Sequence, residues 1–524
     1  MKNIQKPAVK ETLFDLEEVA WWHRQLSANA VRRLQEGWQG VFQRSILKLL
    51  EAPAEALGQG FDEELGRPSK ELYAMSGLLL IAEFQNWTIE EAAEQWTFNA
   101  GVQYALNLKR DRQYLCPRTL DNYRRLVREK VDVQEIFMRV TTALIEELEL
   151  DIRKQRVDST HVLSAMAQMG RLQLLSVAVK RFLVELQKKD RRLHGEVPEA
   201  LRERYEPAES RLFGMGTKTP RPKEEALAQV AADLAWVVDR FAGQSCGRWK
   251  SYQALERLLA EHCERKEDRT VVVRKQSVDA QGGNARCLQN PSDAEAGYSG
   301  HKGPGYQVQL GQMLPPRDEE GKQEGPGLLT ACVPQSAAVR DDAGLRQVLA
   351  QQKEAGLLPE LLTADTIYGS DRNVRECAEV GVKLVSPVGG AEPKKEGPAK
   401  HRCSIEERAL KERLAQRRAE QQTPEWRKEY AARSGIEGVN RALDATTGCK
   451  QLRVRGDRAV TVAVSLKATG WNIMAAAKIR ASRNRKDKAR AQHRRGSGLG
   501  PAQWRHHRQS RSPICCPSPL RQLV

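Results

Sequence analysis

The chain has 524 residues, enough at about 150 residues per domain for two to four domains, each with a sizeable core. Lysine plus arginine number 85 against 68 aspartate plus glutamate, a formal net charge of +17, which points to a polyanionic partner, most often nucleic acid. Hydrophobic residues at 40% argue against a disordered chain, and the longest apolar run, near 72–84, is well short of the ~20 residues a membrane span needs. Ten cysteines without a Cys-x-x-Cys pair suit reduced thiols in a cytoplasmic protein, and the acidic turn of residues 1–18 is unlike a signal peptide.

Residues 11–150 read as helical, with Leu16, Val19, Ala20, Leu26, Val31 and Leu34 at helical spacing. Residues 58–68 (GQGFDEELGRP) punctuate this run, and a strongly apolar helix follows from Ser69. Thr88 with Glu91 three residues on forms a capping box, and Asn99-Ala100-Gly101 turns into a helix over 102–108, a helix-turn-helix shape. The helix after Cys116-Pro117 carries Arg118, Arg124, Arg125 and Arg128 on a basic side. An ordinary bundle with a charged exterior has the same signature as a DNA-contacting one.

Residues 151–158 alternate as a strand ending at Asp158, and a helical insertion over 162–267 follows, broken at 195–198 and 214–222. Further strands are expected at 270–275, 306–312, 328–334, 358–365, 382–387 and 451–455. Helices are expected at 341–355, from the Ser370 cap to about 380, at 404–447 with a break near Pro424, and at 459–479. The segment 389–402 is a Gly, Pro and Lys loop. From Ser482 the patterning stops, and a basic, disordered tail over 481–524 is expected, with either no role or a DNA-binding one.

Without the insertion the remainder is a mixed α/β layer in which two strands end in carboxylates, Asp158 and Asp365, and a later helix carries Glu437. Three convergent carboxylates repel unless a divalent cation neutralises them, and Mg²⁺ (or Mn²⁺) suits such oxygen ligands and phosphate chemistry. With 68 acidic residues in the chain, spacing alone singles out none of them; the strand ends do.

Four segments, RVDSTHV (156–162), SGHKGPGYQVQL (299–310), TADTIYGSDRNV (363–374) and YAARSGIEGVN (430–440) with LRVRG (452–456), resemble the DDE transposases of bacterial insertion sequences, of the IS4/IS5-like superfamily. The N-terminal run from Arg67 resembles their helical DNA-binding domain. The resemblance implies an α/β fold: an RNase H-like mixed sheet with a large helical insertion over 149–480, preceded by an all-α, helix-turn-helix-like domain over 1–148. It implies Asp158, Asp365 and Glu437 as catalytic metal ligands, and Mg²⁺-dependent cleavage and strand transfer of DNA. The partners implied are the element's terminal inverted repeats and target DNA, met by a homodimer at the nucleoid.

Tyr430, Arg433 and Glu437, at i, i+3 and i+7, are expected on one helical face, with Arg433 for a phosphate and Arg441 one turn beyond Glu437. Where relatives carry a Lys seven residues after the Glu, this chain has Asp444; where they have Gly after the second Asp, it has Ile367, so that turn is expected to be strained or differently shaped. His301 and Lys302 fit either a phosphate contact or a plain tight turn, and His161 either an orienting or a structural role. Two alternatives stand beside the transposase: a nuclease on the same core, and a decayed remnant that only binds DNA.

Overall fold

A computed structural model describes residues 26–61, 69–108, 114–206, 220–390 and 405–496. Leu16, Val19 and Ala20, most of the 389–402 loop, part of the 214–222 break and residues 497–524 lie outside the described residues. The N-terminal part is helical: α1 (Ala28–Glu36), α2 (Glu51–Gly58), α3 (Leu72–Phe84), α4 (Ile89–Phe98), α5 (Ala100–Ala105), α6 (Pro117–Lys130) and α7 (Val133–Glu147). Every residue of α3 except Glu83 is buried, as an all-round apolar helix must be. The capping box forms: Glu91 N–H donates to Thr88 Oγ1 at 3.1 Å, and Thr88 N–H to Glu91 Oε2 at 2.6 Å. Asn99 ends α4 and caps α5 by accepting from the amides of Gly101 and Val102, so the second helix starts two residues earlier than expected.

The central sheet is mixed. It comprises β1 (Lys154–Val162), β4 (Gly297–Ser299), β5 (Gly303–Met313), β6 (Leu329–Ser336), β7 (Leu361–Thr363) and β8 (Lys383–Val385). Its order is β6-β5-β1-β7-β8, with β4 on the start of β5. β5 is antiparallel to β1 and β6, whereas β1, β7 and β8 run parallel. The strands at 270–275, 306–312, 328–334 and 382–387 are found with shifted ends. Three expectations change. β1 starts later and continues to Val162, because the sheet partner β5 extends the pairing, so Asp158 lies mid-strand. β7 stops at Thr363, two residues before Asp365. Residues 451–454 are an extended segment bonded to 163–165 rather than a strand, joined through a single bridge of Leu163 with Gln451.

The insertion folds around its own core. Helices α8 (Arg171–Lys189), α9 (Pro220–Phe241) and α10 (Lys250–His262) enclose Phe182, Leu234, Phe241, Tyr252 and Leu255, and a short hairpin of β2 (Cys263–Arg265) and β3 (Val271–Val273) closes it.

Beyond β6 come α11 (Asp341–Glu354), α12 (Asp371–Glu379), α13 (Ile405–Glu420), α14 (Pro424–Tyr430), α15 (Ile436–Thr447) and α16 (Asp457–Gly496). Ser370 caps α12 as expected, accepting from Asn373 N–H. α16 packs on β6 and also on α3 and α7, so Val462, Leu466 and Ile473 join the N-terminal helices in one hydrophobic core with Met313 and Leu328. The expected tail begins too early: α16 runs on to Gly496, because its polar turns are held by charge. Arg483 donates to Glu324 and to Leu148 O, Lys486 pairs with Asp318, and Arg490 with Glu319. The seven cysteines among the described residues are free, and no helix there is long and apolar enough to cross a membrane.

Candidate active site

Parallel pairing brings the two aspartates together. Arg156 of β1 is in register with Thr363 of β7, and Asp158 and Asp365 each lie two residues further along their chains. Asp158 accepts from the Asn440 side-chain amide at 3.0 Å and from Ser159 N–H. Burial pushes its carboxyl up to about 6; Asp365 adds to the shift, while Arg433 and Lys302 oppose it. Asp365 caps a tight turn, Thr366–Tyr368, by accepting from Ile367 N–H at 3.0 Å. Ile367 therefore sits in a 3₁₀ turn and not in the left-handed region, so the expected strain gives way to a differently shaped turn.

Tyr368 is fully buried beneath the site and donates its hydroxyl to Gln309. Burial holds that hydroxyl far above its ordinary range, and the carboxylates of Asp341, Asp158 and Asp365 reinforce the effect. Asp341, in the first turn of α11, pairs with Lys302 at 3.2 Å, and Lys302 also donates to Ser159 Oγ at 2.8 Å. Lys302 is thus clamped beside the first aspartate, while its neighbour His301 is exposed. His161 bonds Pro304 O at 3.2 Å through Nε2, a structural role at the start of β5.

The segment with Glu437 departs from the expected single helix. α14 ends at Tyr430, a 3₁₀ turn covers Ala431–Arg433, and Gly435 adopts φ +95° before α15 begins. Tyr430, Arg433 and Glu437 therefore do not share a helical face; the left-handed glycine breaks the register that their spacing suggested. Tyr430 instead stacks on Trp426, with ring centroids 4.9 Å apart. Buried Arg156 braces the break, its Nη1 donating to Ser434 O at 2.5 Å and to Ala432 O at 3.4 Å. Glu437 is 80% exposed, and Arg433 lies between it and the aspartates, 3.9 Å from both Asp365 and Glu437. Arg441 is exposed one turn along α15. Asp444 closes the end of α15 by accepting from Lys450 N–H at 2.9 Å, so the acid at the expected Lys position has a structural task.

Among the described residues no three His, Cys, Asp or Glu side chains stand close enough to hold a metal ion together, so the expected three-carboxylate pocket is not assembled in this arrangement. Instead the guanidinium of Arg433 stands 3.9 Å from both Asp365 and Glu437. The aspartate pair by itself suits a hard divalent cation, which one or two carboxylates commonly retain. Asn440 and Asp341 were not singled out from sequence. Asn440 lies three residues after Glu437 on the same helix face, a spacing that would have found it; Asp341 carries no local signal beyond its place in a helix's first turn.

Residues 393–477, which span Tyr430, Arg433, Glu437 and Arg441, match the transposase DDE domain family. Over these residues the chain is similar to that family. The match takes in α13, α14, α15 and the first half of α16, and leaves Asp158 and Asp365 to the geometry above. No curated protein and no solved structure matches the chain.

Proposed function

We propose that the chain is an insertion-sequence transposase of the IS4/IS5-like superfamily that cleaves and joins DNA at element ends with Mg²⁺ or Mn²⁺. The observation that carries this reading is the placement of Asp158 and Asp365, each two residues past the paired Arg156 and Thr363 of adjacent parallel strands, together with the transposase-like segment. The strand order β6-β5-β1-β7-β8, with only β5 reversed between β6 and β1, supports an RNase H-like core over 149–480 interrupted by the helices of 162–267. Residues 1–148 form the DNA-binding part, with α4 and α5 as its helix-turn-helix. The chain's formal net charge of +17 supports DNA as partner. A homodimer acting on two ends at the nucleoid completes the reading.

Asp158 and Asp365 would hold the cation, with Glu437 as the third carboxylate. A divalent cation at such a site supplies activation of a hydroxyl nucleophile and neutralisation of charge on the phosphodiester. Asn440 orients Asp158, while Lys302, fixed by Asp341, lends positive charge to the scissile phosphate. Tyr430, Arg441 and His301 line the approach of the DNA. Hydrolysis at the element's end leaves a 3′-hydroxyl, which attacks a target phosphodiester and releases one strand end for each bond made.

A duplex carrying the element's ends, incubated with the chain and Mg²⁺, tests this reading: nicked and joined products are expected. Nicking without joining makes the chain a nuclease. A remnant that binds without cutting is the second reading, favoured by the exposure of Glu437; retention of the duplex without any nick would establish it.

A further inference from the structure

Arg433 is the positive centre of this acidic site. It lies 3.9 Å from Asp365 and 3.9 Å from Glu437, and its charge reaches Asp158 as well. We propose that Arg433 occupies the cation position of the DNA-free chain, and that a DNA phosphate draws its guanidinium off the carboxylates, so that metal loading follows DNA binding. The inference rests on the reading of Asp158 and Asp365 as the cation site and adds the order in which that site fills.

Three observations carry it. The first is the looseness of the contacts. Elsewhere this chain builds close, forked arginine pairs, Arg413 with Asp371 at 2.8 and 2.9 Å and Arg204 with Asp233 at 2.9 and 3.0 Å. At 3.9 Å Arg433 makes no such fork, and its Nε is buried without a hydrogen-bond partner. A phosphate offers the bidentate geometry that the carboxylates here do not. The second is the mounting. Arg156 holds the carbonyls of Ala432 and Ser434, on either side of Arg433, so the backbone is fixed and the side chain is the part free to turn. The third is charge. A guanidinium and a divalent cation among the same carboxylates repel each other, so one must leave when the other enters.

Linkage makes the coupling reciprocal: whatever factor DNA adds to metal affinity, metal adds to DNA affinity. The experiment measures Mn²⁺ binding to the full chain by electron paramagnetic resonance, with and without a blunt DNA duplex, for wild type and Arg433→Ala. Without DNA, Arg433→Ala is expected to bind Mn²⁺ about tenfold tighter or more than wild type. The duplex tightens Mn²⁺ binding by wild type and leaves the variant nearly unchanged. Mn²⁺ binding by Arg433→Ala no tighter than wild type, in protein with native circular dichroism, overturns the proposal; so does a wild-type affinity indifferent to the duplex. Asp158→Asn and Asp365→Asn in the Arg433→Ala background separate the two levels. If they abolish Mn²⁺ binding, the cation site stands and only the order of filling is in question. If Mn²⁺ binding survives both, the site itself is misassigned and the proposal falls with it.

Discussion

Asp158 stands on a strand that also carries buried Val157 and Thr160, and its ionised form is disfavoured there. An acid at such a position costs stability unless it binds something, which is why the two aspartates were legible from sequence: each interrupts or follows an apolar alternation. The prediction at this scale is that Asp158→Asn and Asp365→Asn each lower Mg²⁺-dependent nicking by at least about a hundredfold while the chain keeps its duplex affinity, read by gel shift beside the cleavage assay. Glu437→Gln is expected to lower nicking as well. It should leave Mn²⁺ binding by the DNA-free chain within about twofold, because Glu437 meets only Arg433 there. Asp341 escaped the sequence reading because a first-turn acid is ordinary on a helix, and Asn440 because its spacing from Glu437 was not weighed, although the packing of α15 against β1 gives its amide a carboxylate to hold.

Element boundaries decide what neighbouring residues can do together. The run from Tyr430 to Glu437 has helical spacing, yet Gly435 at φ +95° ends one helix and starts another. Spacing counts residues along an axis and says nothing of where that axis stops; the glycine was the visible signal. A Cβ at position 435 would meet Arg156 Nη1 at 3.1 Å in a backbone conformation L residues avoid. Gly435→Ala is therefore expected to cost about 1–2 kcal/mol in urea unfolding and to reduce nicking, since Arg433 and Glu437 hang from this break. The insertion offers a second test. His262, at the end of α10, is buried, and its imidazole is held down to about 4 by that burial, with the guanidinium groups of Arg171 and Arg257 adding to it. A histidine that stays neutral when folded binds fewer protons than when unfolded, so its contribution is intact above pH 6.5 and is lost as pH falls toward 4. His262→Leu should flatten the decline in melting temperature between pH 6.5 and 4.5 relative to wild type.

At the scale of the whole molecule, the division at 148/149 was read from a change in patterning alone. What sequence did not reveal is the long α16, whose apolar half meets both regions and whose charged half grips the 317–324 loop. Its later turns lack an apolar stripe, so periodicity stopped registering them at about residue 480, although their cations have fixed partners. A chain ending at residue 480 is expected to melt several degrees lower than one ending at 496, by scanning calorimetry. Gly470→Leu should be worse, because even a Cβ there falls 2.0 Å from that of Phe84 on α3. The shared core also bears on synthesis. At about 5–20 residues per second the ribosome reaches the far side of that core roughly 15–70 seconds after it has finished α7. The earliest helices spend that interval with an open apolar seam, and a chaperone that shields it until the last helix emerges would raise the yield of this chain more than one acting on the finished sheet.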